Sequence, residues 1–277
     1  MSIEAATPEL TDQARRFGGT ARLLGAAGLN ALASAHVVVV GIGGVGSWAA
    51  ECLARSGVGQ ITLIDLDVVA LSNVNRQIHA SDATLGANKV DVMAQRIQSY
   101  APNCAVRVVD DWITPENVAD LIPTSATVVI DCIDQLKPKC ALVVLCAARR
   151  QPLIVCGAAG GKTDLSLLAV ADLAAVSHDP LLASLRSRLR KAHGFAKPVL
   201  TGKAAGKLKK MGVTCVYAAQ PVAKPIVEAC DVPADMPNIS APDTAAPQGL
   251  SCAGYGSMMH MTASMGIRAA AQAMKLI

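Results

Sequence analysis

Aromatic residues are scarce in this chain. Two tryptophans, three tyrosines and two phenylalanines make up 3% of 277 residues, against a hydrophobic content of 52%. Such a core is built from Ala, Val, Leu and Ile packed closely, as in a parallel sheet covered by helices, which favours α/β over a β-sandwich. Paired cysteines are also missing. The nine, at 52, 104, 132, 140, 146, 156, 215, 230 and 252, include no Cys-x-x-Cys, which argues against a zinc knuckle. Their odd number argues against a disulfide framework, so most read as small buried hydrophobes. The opening stretch MSIEAATPELTDQARRFGG lacks the apolar centre of a secretory signal. No apolar run approaches the roughly 20 residues that a membrane-spanning helix needs. The expectation is a cytoplasmic protein without an integral membrane segment, folded as one body over residues 1–277.

Acidic residues are absent from one long interval. Between Pro180 and Val227 there is no Asp or Glu, while Arg186, Arg188, Arg190, Lys191, Lys197, Lys203, Lys207, Lys209, Lys210 and Lys224 fall within it. The formal net charge is +4, so the rest of the chain is net negative and the basicity is local. A concentrated basic stretch attracts a polyanion, because each neutralised phosphate releases condensed counterions. With only Phe195 and Tyr217 interleaved, the 180–227 segment reads as a phosphate-tracking surface more than a stacking platform for single strands. The alternative is a solvated surface helix and loop.

What is present alternates between strand and helix. A helical stretch, TARLLGAAGLNALASA, places Leu23, Leu24, Leu29 and Leu32 on one face. HVVVV, QITLID, CAVRVVDDWI, ATVVIDCID and PLIVCGAAGG read as five strands. VGSWAAECLARSG, NKVDVMAQRIQSYAP, TPENVADLI and KPKCALVVLCAARR read as the helices between them, with Thr114 at an N-cap and Pro115 in the first turn of the third. This predicts a Rossmann-like, doubly wound, mostly parallel α/β sheet. After about residue 165 the pattern fades into an irregular C-terminal extension with a short strand SLLAVADL, a strand VTCVYAA, a loop of six prolines over 221–247, and a final Ala/Met-rich helix.

The chemistry gathers where strands end. Gly41-x-Gly43-x-x-Gly46 follows a strand and opens a helix, the context in which glycines let a phosphate approach the backbone and the helix N-terminus. Asp65, ending the second strand, is placed for ribose hydroxyls. Alone these residues indicate a nucleotide, with a dinucleotide as favourite. The residues that follow change that reading. Asp67, Asn73, Asn75, Arg76 and Gln77 come in polar succession, and Lys89 opens the next helix. Cations converging on a phosphate site neutralise a triphosphate and stabilise a pyrophosphate leaving group, which hydride transfer does not need. Asp131 and Asp134 end the fourth strand, where a carboxylate can hold Mg²⁺ against phosphate oxygens.

Read together, RFGG at 16–19, GIGGVGSWAAECLARSGVG, LIDLDVVALSNVNRQIHA and DCID resemble the ubiquitin-activating-type adenylyltransferases, the superfamily of the molybdopterin and thiazole activators. NRQIHA, DDWITPENV, DPLLASLRSRLR and SCAGYGS are similar to its subgroup that dehydrates threonylcarbamoyladenosine in tRNA. The resemblance implies ATP and Mg²⁺ as cofactors, tRNA carrying threonylcarbamoyladenosine as substrate, and a homodimer. It implies that Gly41, Gly43 and Gly44 contact phosphates, that Asp65 holds the ribose, and that Asn73, Arg76 and Lys89 bind phosphates. Asp67 and Gln77 lie in the same nucleotide-binding run. Asp134 matches the Mg²⁺ ligand, and Arg16 the arginine lent across the dimer. Cys252 aligns with a cysteine that in related activators accepts a carrier or sulfur, although internal cyclisation needs no enzyme nucleophile. Sulfur-relay partners, a cysteine desulfurase and its acceptor, are implied in the same way. A monovalent cation in the core is left open.

Departures from the superfamily pattern are equally specific. The zinc-binding Cys-x-x-Cys pairs of the molybdopterin and thiazole activators are absent, which disfavours activation of a small Gly-Gly carrier protein as the alternative function. Lys139 replaces a usual arginine, which puts a bidentate phosphate grip at that position in question. His79 and His260 are further candidates for proton transfer.

Overall fold

The computed structural model describes residues 12–197, 209–223 and 255–277. Among these, seven strands form one sheet in the order β3-β2-β1-β4-β5-β7-β6. β1 (His36–Val40), β2 (Gln60–Ile64), β3 (Ala105–Val109), β4 (Val128–Asp131) and β5 (Leu153–Cys156) are parallel neighbours along that order. The order reverses between β1 and β4, where an open α/β sheet leaves a crevice at the carboxyl ends of its strands. Every residue of β1 is buried, as expected of a central strand covered on both faces.

The helices lie where the pattern places them. α1 (Asp12–Ser34), α2 (Gly46–Ser56) and α3 (Lys89–Tyr100) surround the first half, and α5 (Leu136–Arg149) the second. Two details differ from the sequence reading. Gly25 breaks α1 with a left-handed φ of 73°, so Leu29 packs on the core and Leu32 is buried while Leu23 is 82% exposed. The leucines therefore do not form a single face. In TPENVADLI, Thr114 accepts from the backbone N–H groups of Glu116 and Asn117 and caps a turn, and only Val118–Leu121 is helical (α4).

Beyond residue 165 the described chain is more regular than its pattern. β6 (Leu168–Asp172) pairs antiparallel with β7 (Thr214–Ala218), and β7 continues the parallel sheet beside β5. Basic residues obscure α6 (Pro180–Ala192), but its leucines Leu181, Leu182, Leu185 and Leu189 are buried, and the last three follow helical spacing and close a core with β5, β6 and β7. Asp179 caps α6 by accepting from Leu182 N–H, with Pro180 in the first turn. α7 (Met259–Met274) packs on α2 and against β4 and β5. No helix of the described residues is long and apolar enough to cross a membrane.

Candidate active site

A cavity of about 710 Å³ runs along the carboxyl edge of the sheet, its walls reaching from residues beyond β3 to residues beyond β7. Its floor is the glycine turn. Gly41 has φ 85°, and a Cβ there would lie 3.0 Å from the Cys132 backbone, so only glycine fits both the dihedral and the approach. A Cβ on Gly43 would meet nothing within 4 Å, because that residue faces the open cavity. The turn leads into α2, whose N-terminal amides and dipole favour an anion there.

Asp65 organises this turn. One carboxylate oxygen accepts from Ile42 N–H and the other from Asp67 N–H. Burial raises its pKa, while the Lys89 cation acts in the opposite direction. Each oxygen keeps a lone pair for a ribose hydroxyl. Lys89, nearly buried, is paired with the more exposed Asp67 at 2.6 Å, and both line the cavity. Asn73 shapes the next turn by accepting from Ala70 N–H through its side chain and from the Arg76 and Gln77 amides through its carbonyl. That turn aims Arg76 into the cavity. Its guanidinium donates to Ser72 O and Asn75 Oδ1, and its backbone carbonyl accepts from the Trp48 indole. Gln77 lines the same wall, with a buried Oε1 that has no hydrogen-bond partner among the described groups.

The far wall belongs to β4 and β5. Asp134 lines it, whereas Asp131, fully buried, does not. Asp131 pairs with Lys139 at 2.9 Å, and Lys139 also donates to Cys156 O. Lys139 is thus committed beneath the cavity and does not reach it. Burial raises the Asp131 pKa, and Lys139 opposes that shift. A second buried pair, Lys162 with Asp179, fixes the loop after β5. Asp179 accepts from Ala158 N–H, and Lys162 donates to Ala218 O, tying the loop to α6 and β7.

The structure brings together most of the residues singled out in the sequence. Gly41, Gly43, Gly44, Asp65, Asp67 and Asn73 share the cavity with Arg76, Gln77, Lys89 and Asp134. Arg16 does not join them within one chain; it is exposed on α1 and donates to Tyr100 O. His79 is also elsewhere. It is 4% exposed, its ring nitrogens are unpartnered among the described groups, and burial first, then Lys89 and Arg96, lowers its pKa to about 4. His260 contacts Thr163 O outside the cavity. Cys252 lies outside the described residues, as do Lys203, Lys207, Lys224 and nearly all of the proline-rich loop. The sequence reading gave no role to Trp112 or Tyr255, yet both line the cavity. Their signal was rarity, in a chain with so few aromatics.

A glycine turn at the switch point, with cations around it and a carboxylate facing it, defines a nucleotide-binding site of the adenylating kind. The chain belongs to the ThiF family, whose model matches residues 19–277. It is 44% identical over 264 residues to tRNA threonylcarbamoyladenosine dehydratase of Escherichia coli, covering 94% of this chain and 92% of that protein. The crystal structure of that dehydratase with ATP superposes with a TM-score of 0.79 at 42% identity, covering 95% of this chain and 93% of that one. The Escherichia coli molybdopterin-synthase adenylyltransferase is 39% identical over 127 residues only, 46% of this chain and 51% of its own.

Proposed function

We propose that this protein is an ATP-dependent tRNA threonylcarbamoyladenosine dehydratase. The observation that carries the reading is the placement of Arg76, Lys89 and Asp134 around one glycine-floored cavity, in a chain similar to that dehydratase over nearly its full length. A carboxylate is a poor electrophile because its oxygen leaves badly. Attack of that carboxylate on the α-phosphorus of ATP expels pyrophosphate and forms an acyl adenylate. An internal nucleophile of the carbamoyl group then attacks the acyl carbon and loses its proton. The bond to AMP breaks, and AMP departs carrying the former carboxylate oxygen, so one water is lost overall.

Each residue has a task in this scheme. Backbone amides of the 41–46 turn hold phosphates, and Asp65 holds the ribose. Arg76, with Asn73 and Gln77 beside it, spreads the charge of the departing pyrophosphate. Lys89, kept in place by Asp67, adds a second cation. Asp134 would hold Mg²⁺, as a single carboxylate suited to an ion that takes its other ligands from phosphate and water; bound there, the ion neutralises phosphate charge. No cluster of three or more ligating side chains exists among the described residues, which fits that shared coordination better than a protein cage. Arg16 would reach the site of a second copy in a homodimer, and the basic segment 180–227 would track tRNA phosphates. Cytoplasmic location follows from the substrate.

Nucleoside mass spectrometry tests the reaction. Threonylcarbamoylated tRNA incubated with the protein, ATP and Mg²⁺ should lose one water from the modified adenosine. Persistence of the threonylcarbamoyladenosine mass, with ATP–pyrophosphate exchange appearing only on addition of a Gly-Gly carrier protein, would move the assignment to carrier activation.

A further inference from the structure

The cavity holds aromatic side chains out of proportion to the chain. Of two tryptophans, three tyrosines and two phenylalanines, one Trp and one Tyr line it. The others have evident duties. Phe17 and Tyr217 fill the core, Trp48 donates to Arg76 O, Tyr100 donates to Glu51, and Phe195 packs near the end of α6. Trp112, by contrast, is 44% exposed although it belongs to the cavity wall.

The two aromatics belong to opposite halves of the fold. Trp112 follows β3, beside β2, the strand that ends just before Asp65; the Asp65 amide donates to Val109 O of β3. Tyr255 lies against the loop after β5. A Cβ on Gly160 would sit 3.2 Å from that of Tyr255, and Gly161 N–H donates to Gly256 O. On its other side, Asn75 Nδ2 donates to Ser257 O, so the 255–257 segment is strung between the β5 loop and the neighbour of Arg76. From β3 to β5 there are four interstrand steps, roughly 19 Å at the usual spacing. A doubly wound sheet has two such mononucleotide-binding halves, meeting at the switch point. ATP with its phosphates on the glycine turn and its ribose at Asp65 would direct its adenine toward the end of β3, where Trp112 stands, and would leave the Tyr255 side of the cavity open.

We infer that the cavity is a two-nucleoside site, in which Trp112 is the platform for the adenine of ATP and Tyr255 the platform on which the modified adenine of the tRNA stacks. This deepens the proposed function and rests on it. The carboxylate to be activated must stand at the α-phosphate, above the glycine turn, and a base stacked on Tyr255 reaches that point through its own carbamoyl arm. Aromatic faces suit this task because stacking holds a base without consuming the polar edge that carries the modification.

Steady-state kinetics on the full chain, with ATP and threonylcarbamoylated tRNA varied in turn, tests the division. Tyr255→Ala should raise KM for the tRNA by roughly tenfold and leave KM for ATP unchanged. Tyr255→Phe should restore the wild-type value, and Tyr255→Leu, apolar without a ring, should behave as the alanine variant does. Trp112→Ala should give the mirror image, a raised KM for ATP with KM for tRNA unchanged. Unchanged ATP affinity in the Tyr255 variants reports an intact fold, and the leucine variant decides the matter if the alanine variant does not fold. A Tyr255→Leu protein with wild-type KM for tRNA, or with both KM values raised together, would overturn the inference while leaving the function standing. A wild-type protein that leaves the modified nucleoside untouched would overturn the function, and this inference with it.

Discussion

One wall of the cavity is written in a single run of sequence and the other is not. Beneath β1 and β2, the glycine turn, Asp65, Asn73, Arg76 and Lys89 all fall between Gly41 and Lys89. Beyond β4 and β5, Asp134, the loop from Gly157 to Gly160, Val222 and Tyr255 come from four separate segments. The first wall binds a ligand whose phosphates demand glycines and cations at short spacing. Its counterpart binds what the sheet brings together from a distance. The second wall is held together by buried ion pairs, Asp131–Lys139 between β4 and α5 and Lys162–Asp179 between the β5 loop and α6.

Breaking this frame of the second wall should have the largest effect. Asp131→Ala leaves Lys139 buried without its partner, and urea denaturation should show a loss of about 3–5 kcal/mol, provided the variant still folds. Replacement of the pair by apolar residues of similar volume should recover most of it.

Disabling the first wall should abolish chemistry with little effect on stability. Arg76→Ala should lower kcat/KM by roughly 10²- to 10³-fold, the usual consequence of removing one preorganised stabiliser of developing charge. Thermal melting should place its Tm within a few degrees of wild type.

Acid should act beneath the first wall through His79. Its folded pKa, about 4, lies below the ordinary 6.5 because burial excludes the charged imidazole. Between those values the unfolded chain binds a proton that the native state does not, so stability falls as pH drops from 6.5 toward 4, by up to about 3 kcal/mol. His79→Gln should flatten that slope in denaturation curves recorded across the interval.

The smallest effects belong to the surface beyond the second wall, where Arg190, Lys191, Lys197 and Lys209 surround an open groove at the end of α6. Each alanine substitution there should weaken tRNA binding only a few-fold and lower the slope of log affinity against log salt by about one. An unchanged slope would remove this groove from the tRNA path.

The same contrast explains what could be read in advance. Strand and helix alternation through β5 is local, so hydrophobic periodicity revealed it. The nucleotide wall was legible for the same reason. α6 escaped because arginines and lysines interrupt its buried leucines, although Asp179-Pro180 marked its start. Lys139 drew attention as a phosphate ligand by its alignment, and only the fold shows it paired with Asp131 under the cavity. His79 stood close to Arg76 in sequence, yet the turn built by Asn73 directs Arg76 outward while His79 is buried. Tyr255 stood inside the SCAGYGS run, but its place in the cavity depends on distant hydrogen bonds to Gly161 and Asn75 through its neighbours Gly256 and Ser257.

The central claim is that both walls act on one carboxylate, which leaves its oxygen on AMP. The direct test is to prepare tRNA whose threonylcarbamoyl carboxylate carries heavy oxygen and to analyse the nucleotide products by mass spectrometry. The account expects the label in AMP, one atom for each ring closed. Label in inorganic phosphate, with ADP as the nucleotide product, would contradict it, because the carboxylate would then have been activated at the γ-phosphate and not at the phosphate above the glycine turn.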